Sequence, residues 1–137
     1  MLSTTEAAYL AGIIDGEGTI TLTKMHHSEN RRPIISIAST EKELLTYIQK
    51  LIGGYITNKK NYKPSIHKDS FVLTIKKKQN IFTTLEGILP FLRIASKKKR
   101  AAHILEKYDL TTPRNGKYTT EALALKHQFE EEFFAIK

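Results

Sequence analysis

The sequence predicts an α+β fold in which helices and β-hairpins alternate along a single domain of 137 residues. Three observations support this. Residues 6–14 are mostly good helix formers, with small side chains four apart on one helical face. Over residues 19–25, polar and apolar side chains alternate with period two, which is typical of a half-buried strand. A second helix and a second alternating pair then follow, so the order is helix, hairpin, helix, hairpin, helices.

The later elements are predicted from the same two periodicities and from the Gly and Pro residues that separate them. Hydroxyl groups at Ser39 and Thr40 offer a helix start, and Gly53 marks the end of that helix. In the last helix, Leu123, His127 or Phe129, and Phe133 are the predicted inward side chains. The predicted elements after the first helix are strands at 19–25 and 34–38, a helix to 52, strands at 55–59 and 70–76, and helices at 79–89, 97–108 and 119–134.

The charge of the chain favours an anionic partner. Lys and Arg number 22 against 14 Asp and Glu, which gives a formal charge of +8. Such an excess favours nucleic acid, an anionic membrane surface or an acidic protein. Residues 1–18 contain three acids and no base, whereas residues 56–78 contain seven lysines and one acid, and residues 93–100 contain five bases and no acid. An acidic centre among basic segments is expected where carboxylates hold metal and lysines hold phosphate.

Other features of the composition exclude several classes of protein. The chain has no cysteine, which excludes a disulfide framework, a zinc-thiolate site and a thiol nucleophile. No apolar run approaches the roughly 20 residues that a membrane span requires, and the start carries no basic residue of a secretory signal. We therefore expect a soluble, intracellular protein with no membrane association. The abundance of Lys, Ile, Asn and Thr suggests an AT-rich coding sequence, as in a chloroplast, a mitochondrion, a phage or a prokaryotic host.

Residues 10–18, LAGIIDGEG, stand at the junction of the first helix and the first strand, and they place two carboxylates, Asp15 and Glu17, among glycines. Glycine in a helix interior costs roughly 1 kcal/mol relative to alanine. We therefore expect a second backbone to approach Gly12 closely, as small residues four apart permit. An alternative interpretation is a β-hairpin turn at Asp15 and Gly16, because Asp-Gly is a strong turn signal.

The same nine residues resemble the signature of the LAGLIDADG homing endonucleases. Glu17 stands at the eighth position, where the family has its catalytic acid, and aliphatic Ile13 fills the fourth. The resemblance implies an αββαββα core over about residues 6–108 with a saddle-shaped antiparallel sheet, and a C-terminal helical extension over about 117–137. The positions that match the signature are Leu10, Ala11, Gly12, Ile14, Asp15 and Gly18.

The resemblance also implies a homodimer that binds double-stranded DNA and cuts it with Mg²⁺, for which Mn²⁺ is expected to substitute, without a small-molecule cofactor. Glu17 and the carbonyl of Gly16 would be the metal ligands. One Glu17 per chain is too few for a two-metal site, and two chains would supply two. The helices would pair through Ala8, Ala11, Gly12, Asp15 and Gly16.

Two further residues are candidates for catalysis by resemblance. Lys97 stands four residues before Ala101, where the family has a lysine that reaches the water around the scissile phosphate. Lys98 is the alternative, because the basic run leaves the register open, and the run can equally be a solvated helix face. Ser39 falls where the family has a water-ordering glutamine, although a helix cap is the favoured interpretation of Ser39. The family's basic residue in the next turn is replaced by Glu43.

The two hairpins are predicted to lie along the DNA, because a two-stranded ribbon fits the major groove. Lysines would mainly bind phosphate, whereas Arg, Ser and Thr side chains could read base edges. Each residue alone can equally be ordinary surface. The predicted DNA contacts are Thr19, Thr21, Thr23, Lys24, His26, Arg31, Arg32, Ser36, Lys59, Lys60, Tyr62, Ser70, Thr74 and Lys76.

Three hypotheses follow for function. The leading one is a site-specific homing endonuclease that makes a double-strand break in a long pseudo-palindromic target. The second is a family member that binds without cutting, as an RNA splicing maturase or a DNA-binding regulator, which would leave the acid at Glu17 unexplained. The third is a basic protein of the translation machinery, which would explain the charge but not the paired acids among glycines.

Overall fold

Helices and strands alternate in a computed structural model, which describes residues 1–59 and 62–137. The order confirms the predicted α+β fold and its αββαββα core. The elements are α1 (Thr4–Glu17), β1 (Gly18–Thr23), β2 (Arg32–Ser39), α2 (Lys42–Ile52), β3 (Tyr55–Lys59), β4 (Ser70–Ile75), α3 (Lys78–Ile88), α4 (Ala95–Lys107) and α5 (Thr120–Phe134). Two short 3-10 turns, Leu89–Phe91 and Asp109–Thr111, flank α4.

Helix α1 begins with a capping box and ends against a glycine. Glu6 N donates to Ser3 Oγ at 3.2 Å, and Ser3 N donates to Glu6 Oε1 at 2.8 Å, so two N–H groups of the first turn are bonded. The helix continues through Asp15 to Glu17, and the alternative of a hairpin turn there is wrong. At Gly18 a Cβ atom would lie 2.7 Å from the Cα of Ile14, so this sharp passage from helix to strand requires glycine.

The four strands form one antiparallel sheet in the order β1-β2-β4-β3. The second strands of the two hairpins are therefore neighbours at its centre. Alternate residues point to opposite faces of a sheet, and here one face is apolar. Two rows of aliphatic side chains cross this inner face, Ile20–Ile35–Ile75 and Ile37–Leu73–Ile56.

The helices and the inner face of the sheet together form the hydrophobic core. Fully burying an aliphatic side chain of this size contributes about 1.5–3 kcal/mol, so the core residues dominate the stability of the fold. Within the described ranges, no helix combines the length and the apolar character needed to cross a bilayer. The buried helical residues include Leu10, Ala11 and Ile14 of α1, Leu45 and Ile48 of α2, Ile81, Leu85 and Ile88 of α3, and Ala101 and Ile104 of α4.

The buried side of α5 differs from the prediction. Phe129 and Phe133 are buried as expected, but Leu123 and His127 are exposed. The other two buried residues of α5 are Lys126, three residues before Phe129, and Glu130, directly after it. The prediction is therefore confirmed for Phe129 and Phe133 and wrong for Leu123 and His127. The division into a core and a C-terminal extension stays a prediction.

Candidate active site and nucleic-acid interface

Glu17, the predicted catalytic acid, is the last residue of α1 and its side chain is exposed. The close approach of Gly18 to Ile14 holds β1 directly against this helix end. Gly16, whose carbonyl belongs to the same helix end, is also exposed. The last carbonyls of an α-helix lack helical N–H partners, so the end of α1 presents main-chain carbonyl oxygens beside the Glu17 carboxylate, although the Ile14 carbonyl accepts from Gly18 N.

Asp15 bonds to the start of α4 rather than pointing into solvent. Its carboxylate accepts from Arg93 N at 2.8 Å and from Ile94 N at 3.1 Å. These two N–H groups lie just before the first turn of α4, where a negative charge is also favoured by the helix dipole. The Asp15 carboxylate therefore joins the end of α1 to the beginning of α4.

Lys97 makes the reverse connection. Its ammonium group donates to the carbonyls of Ile14 and Asp15, each at 2.7 Å. A cation at a helix carboxyl end complements the dipole. Here it bonds to the Asp15 carbonyl and is a second donor to the Ile14 carbonyl, which already accepts from Gly18 N. At most one N–H bond of Lys97 remains for a phosphate or a water. Lys98, the alternative, is exposed on α4. We call the paired Asp15 and Lys97 connections the α1–α4 clasp.

The clasp predicts a measurable loss of stability on removal of either side chain. Lys97→Met and Asp15→Ala should each lower the free energy of unfolding by about 1–2 kcal/mol, because each leaves two main-chain groups without a charged partner. The double variant should lose less than the sum by at least about 0.5 kcal/mol, since both changes separate the same two helix ends. Urea unfolding of the four proteins measures this coupling.

The matched control is Lys98→Met, which removes the neighbouring charge on the exposed face of α4. We expect it to change stability by less than about 0.5 kcal/mol. Equal effects of Lys97→Met and Lys98→Met would contradict the clasp.

The Ser39 hydroxyl makes a hydrogen bond within the turn that precedes α2 and does not cap the helix. Its Oγ atom accepts from Glu41 N at 2.9 Å, one residue before α2 begins at Lys42. Ser39 is the last residue of β2, and Gly18 pairs with Ile37 two residues earlier, so Ser39 lies at the same end of the sheet as Glu17. The N-cap residue of α2 is Glu41 and no side chain caps it, so the favoured interpretation of Ser39 as a helix cap is wrong. A role of Ser39 in ordering water stays a prediction.

The outer face of α1 carries small residues at helical spacing. Ala8, Gly12 and Gly16 are exposed. Among the described residues, a Cβ built on Gly12 or Gly16 would meet nothing within 4 Å beyond its own helix. Two predicted interface residues do not belong to this face. Ala11 is fully buried in the chain's own core, and the Asp15 carboxylate is bonded within the α1–α4 clasp.

The outer face of the sheet, opposite the core, is mostly polar. One row crosses all four strands as Thr19–Ser36–Thr74–Tyr55. Thr19 and Tyr55 at the edges are exposed, whereas Thr74 at the centre is only 9% exposed. Thr74 can therefore contact a ligand only through a small surface. Tyr55 was not among the predicted contacts, although an exposed aromatic ring on a strand facing nucleic acid is a recognisable signal.

The other predicted DNA contacts lie in several parts of the structure. Arg31 is a correction, because its guanidinium pairs with Glu130 at 2.8 Å and lies over the Phe134 ring, so it is directed towards α5. Lys60 lies outside the described residues. Tyr62 is exposed in the connection from β3 to β4. The remaining predicted contacts lie on the strands or just beyond their ends: Thr21, Thr23, Lys24, His26, Arg32, Lys59, Ser70 and Lys76.

A buried lysine, missed by sequence reasoning, lies where α5 meets the end of α4. Lys126 is 1% exposed, donates to Thr112 Oγ1 at 2.6 Å and lies over the Tyr108 ring at 4.1 Å. Burial lowers the pKa of Lys126 to about 8, against the opposing influence of nearby Glu130 and Asp109. Burial also raises the pKa of the Tyr108 hydroxyl.

The lowered pKa of Lys126 predicts how stability depends on pH. The folded chain releases this proton near pH 8 and the unfolded chain near 10.5, so the folded state binds fewer protons between these values. Its stability should therefore rise with pH across that interval, and the cost of the buried charge should be complete below pH 8. Relative to Lys126→Met, wild type should gain about 1–2 kcal/mol between pH 7 and 9.5.

The measurement is urea unfolding of both proteins at several pH values. The difference between them isolates Lys126 from the other titrating groups. A difference that stays constant from pH 7 to about 9.5 would contradict the lowered pKa.

The oxygen atoms at the end of α1 are the candidate metal ligands of this chain. Within the described part of the chain, no group of three or more His, Cys, Asp or Glu side chains lies together. Glu17 and the Gly16 carbonyl offer oxygen donors, which are the ligands that Mg²⁺ prefers.

The fold matches solved homing endonucleases. The structure of I-CvuI with its target in the presence of calcium superposes with a TM-score of 0.75 at 20% identity, covering 98% of this chain and 83% of that one. I-CeuI complexed with DNA gives 0.66 at 20% identity, covering 97% and 68%. I-TnaI gives 0.60 at 19% identity, covering 96% and 87%. At these identities the likeness establishes the fold.

The sequence itself also matches a family. No curated protein matches the chain significantly. The family model of the LAGLIDADG-like domain matches residues 4–89, from the start of α1 to the end of α3, which is more than half of the chain. The match covers the nine residues at the end of α1, both hairpins and the helix between them. The chain therefore belongs to the LAGLIDADG-like domain family.

Proposed function

We propose that this protein is a site-specific DNA endonuclease that works as a homodimer with a divalent metal ion. The observation that carries the proposal is the position of Glu17. Its exposed carboxylate ends a helix whose outer face is open and lined by small residues, directly beside a polar sheet. The family match and the DNA complexes of I-CvuI and I-CeuI support this proposal.

A dimer through α1 would supply what one chain lacks. Gly12 and Gly16 leave room for a second helix to approach almost backbone to backbone. Two such helices would end side by side, each with its own Glu17. A two-fold dimer would also match a nearly palindromic target, since each half of the DNA meets an identical surface.

The donor set fits Mg²⁺, with Mn²⁺ as an expected substitute. Glu17 and the Gly16 carbonyl would hold the ion, and Mg²⁺ characteristically completes its shell with water and phosphate oxygens. When bound, such an ion activates a water and stabilises negative charge on the phosphodiester. The chain's own contribution is to place these oxygens, because the α1–α4 clasp fixes the backbone immediately before Glu17.

The sheet would position the duplex. Its outer face presents threonine and serine hydroxyls, with basic residues concentrated at the strand ends. Hydroxyls can bond to base edges in the major groove, and lysines can bond to phosphates without reading sequence. Lys97 is a positioning residue in this scheme, with at most one N–H bond left for the water near the phosphate.

The test is cleavage of a randomised duplex library with Mg²⁺, Ca²⁺ or EDTA, followed by sequencing of the cut ends. We expect cuts with Mg²⁺ at a pseudo-palindromic site of about 20 base pairs, and none with EDTA. Tight binding to one sequence without cutting under any metal would overturn the endonuclease. It would support a binding member of the family, a splicing maturase or a regulator.

A further inference from the structure

A cleft of about 600 Å³ lies at the end of the sheet remote from Glu17, between the strand ends and the C-terminal helices. We call it the basic cleft. It is formed by the segment before β2, the residues that follow β4, the loop after α4, and Lys126 of α5. Its lining contains one acid, Glu29, and seven cationic side chains: Arg31, Arg32, Lys76, Lys77, Lys78, Arg114 and Lys126.

Several of these cations remain available to a ligand. Arg31 pairs with Glu130, and Lys78 pairs with Asp109. Arg32 makes only a long contact of 3.4 Å with Glu29. Even with Glu130 and Asp109 counted, the positive charge around the cleft exceeds the negative charge. So many cations around one concave surface repel each other, and a bound anion would relieve that repulsion.

Lys126 contributes a buried ammonium group to the lining of the cleft. The ammonium donates to the Thr112 hydroxyl and lies over the rings of Tyr108 and Phe129, at 4.1 and 5.0 Å. Burying an ammonium is costly unless it is well paired. A phosphate at the mouth of the cleft would offset this cost, and Lys126 would keep its proton more firmly.

The basic cleft is continuous with the outer face of the sheet. Arg32 opens β2 and pairs with Thr23, on the same face as Thr19 and Thr21. Lys76 directly follows β4 and its ammonium lies 5.4 Å from the Tyr55 ring of that face. Arg32 and Lys76 therefore belong both to the outer face of the sheet and to the lining of the basic cleft. Because a strand rises about 3.4 Å per residue, the length of β1 separates the basic cleft from Glu17 by roughly 20 Å.

We infer that the basic cleft binds backbone phosphate of the DNA flanking the segment that lies on the sheet. This rests on the proposed DNA-binding function and assigns the loop after α4 and helix α5 a part in it. The occupant is nucleic acid rather than a free anion, because the cleft opens onto the sheet face, where a duplex would lie. Such contacts add affinity regardless of sequence.

The test is the salt dependence of binding to a labelled duplex of about 30 base pairs, between about 50 and 200 mM NaCl. The double variant Lys77→Gln/Arg114→Gln removes two exposed cations of the cleft. For each phosphate that the variant no longer neutralises, the slope of log K against log salt should weaken by about 0.9, and affinity should fall about 3- to 30-fold. The matched control, Lys50→Gln, removes an exposed charge at the end of α2 and should keep the wild-type slope.

The outcomes separate this inference from the proposed function. If wild type binds the duplex and all three proteins show the same slope of log K against log salt, the cleft does not bind phosphate. The proposed endonuclease function is unaffected by that result. If the double variant shows the expected decrease in slope but wild type does not cleave DNA, phosphate binding in the cleft is supported and the proposed endonuclease function is contradicted. A second arm uses inorganic pyrophosphate. The inference fails if wild type does not bind the duplex, while pyrophosphate raises the melting temperature of wild type and not of the double variant. That result would show that the cleft binds a free anion.

Discussion

Glu17→Gln is expected to lower the rate of DNA cleavage by at least about 10³-fold, equivalent to about 4 kcal/mol of transition-state stabilisation. The amide keeps the size of the side chain but removes the negative charge that a divalent ion requires. Because Glu17 is exposed at the end of α1, the change should leave the fold unaltered. DNA binding should persist, since the expected duplex contacts are on the strands.

The measurement pairs single-turnover cleavage of the target with binding in EDTA. Glu86→Gln is the control, because it neutralises an exposed acid on α3 remote from the sheet's outer face. It should cleave at the wild-type rate. Cleavage by Glu17→Gln at the wild-type rate would show that Glu17 is not required for catalysis.

Gly12→Leu is expected to leave the monomer folded and to abolish dimerisation. Nothing in the described residues lies within 4 Å of the Cβ position beyond the helix itself, so the side chain has room in the monomer. Leucine is also the better helix former, by about 0.5–1 kcal/mol. In the dimer the same side chain would force the two α1 helices apart and separate the two carboxylates. Cleavage should therefore fall at least about 100-fold.

Sedimentation equilibrium and cleavage of the same preparations measure this. Gln128→Leu places the same side chain on an exposed position of α5 and should stay dimeric and active. A dimeric, active Gly12→Leu protein would show that α1 is not the interface.

Sequence reasoning predicted the order of elements because both periodicities here are local. The helix at α1 and the alternation in β1 are each visible within about ten residues. The nine residues 10–18 also identified the family by resemblance, and the family model confirms it.

The α1–α4 clasp could not be predicted in the same way. Asp15 and Arg93 are 78 residues apart, and no local pattern states that a helix end and a helix start will meet. The resemblance to the family therefore predicts Asp15 and Ala11 at the dimer interface. In the structure, both serve the chain's own fold. The basic run on α4 likewise does not indicate which lysine contacts α1. The structure shows that Lys97 does, because its ammonium bonds to two carbonyls of α1.

The buried face of α5 was missed for a different reason. Its spacing of three and four residues is regular, but two inward positions are Lys126 and Glu130. Charged side chains are rarely buried without partners, so a charged residue in a sequence normally predicts an exposed position. Here Arg31, Thr112 and the aromatic rings supply those partners from other segments.

The central claim is that one active site needs a Glu17 from each of two chains. The most direct measurement is double-strand cleavage by equal mixtures of wild type and Glu17→Gln, allowed to exchange subunits before DNA is added. If two intact chains are required, one quarter of the dimers remain competent, and the rate should be about one quarter of wild type. A rate of about one half would mean that single chains act independently and would contradict the shared site.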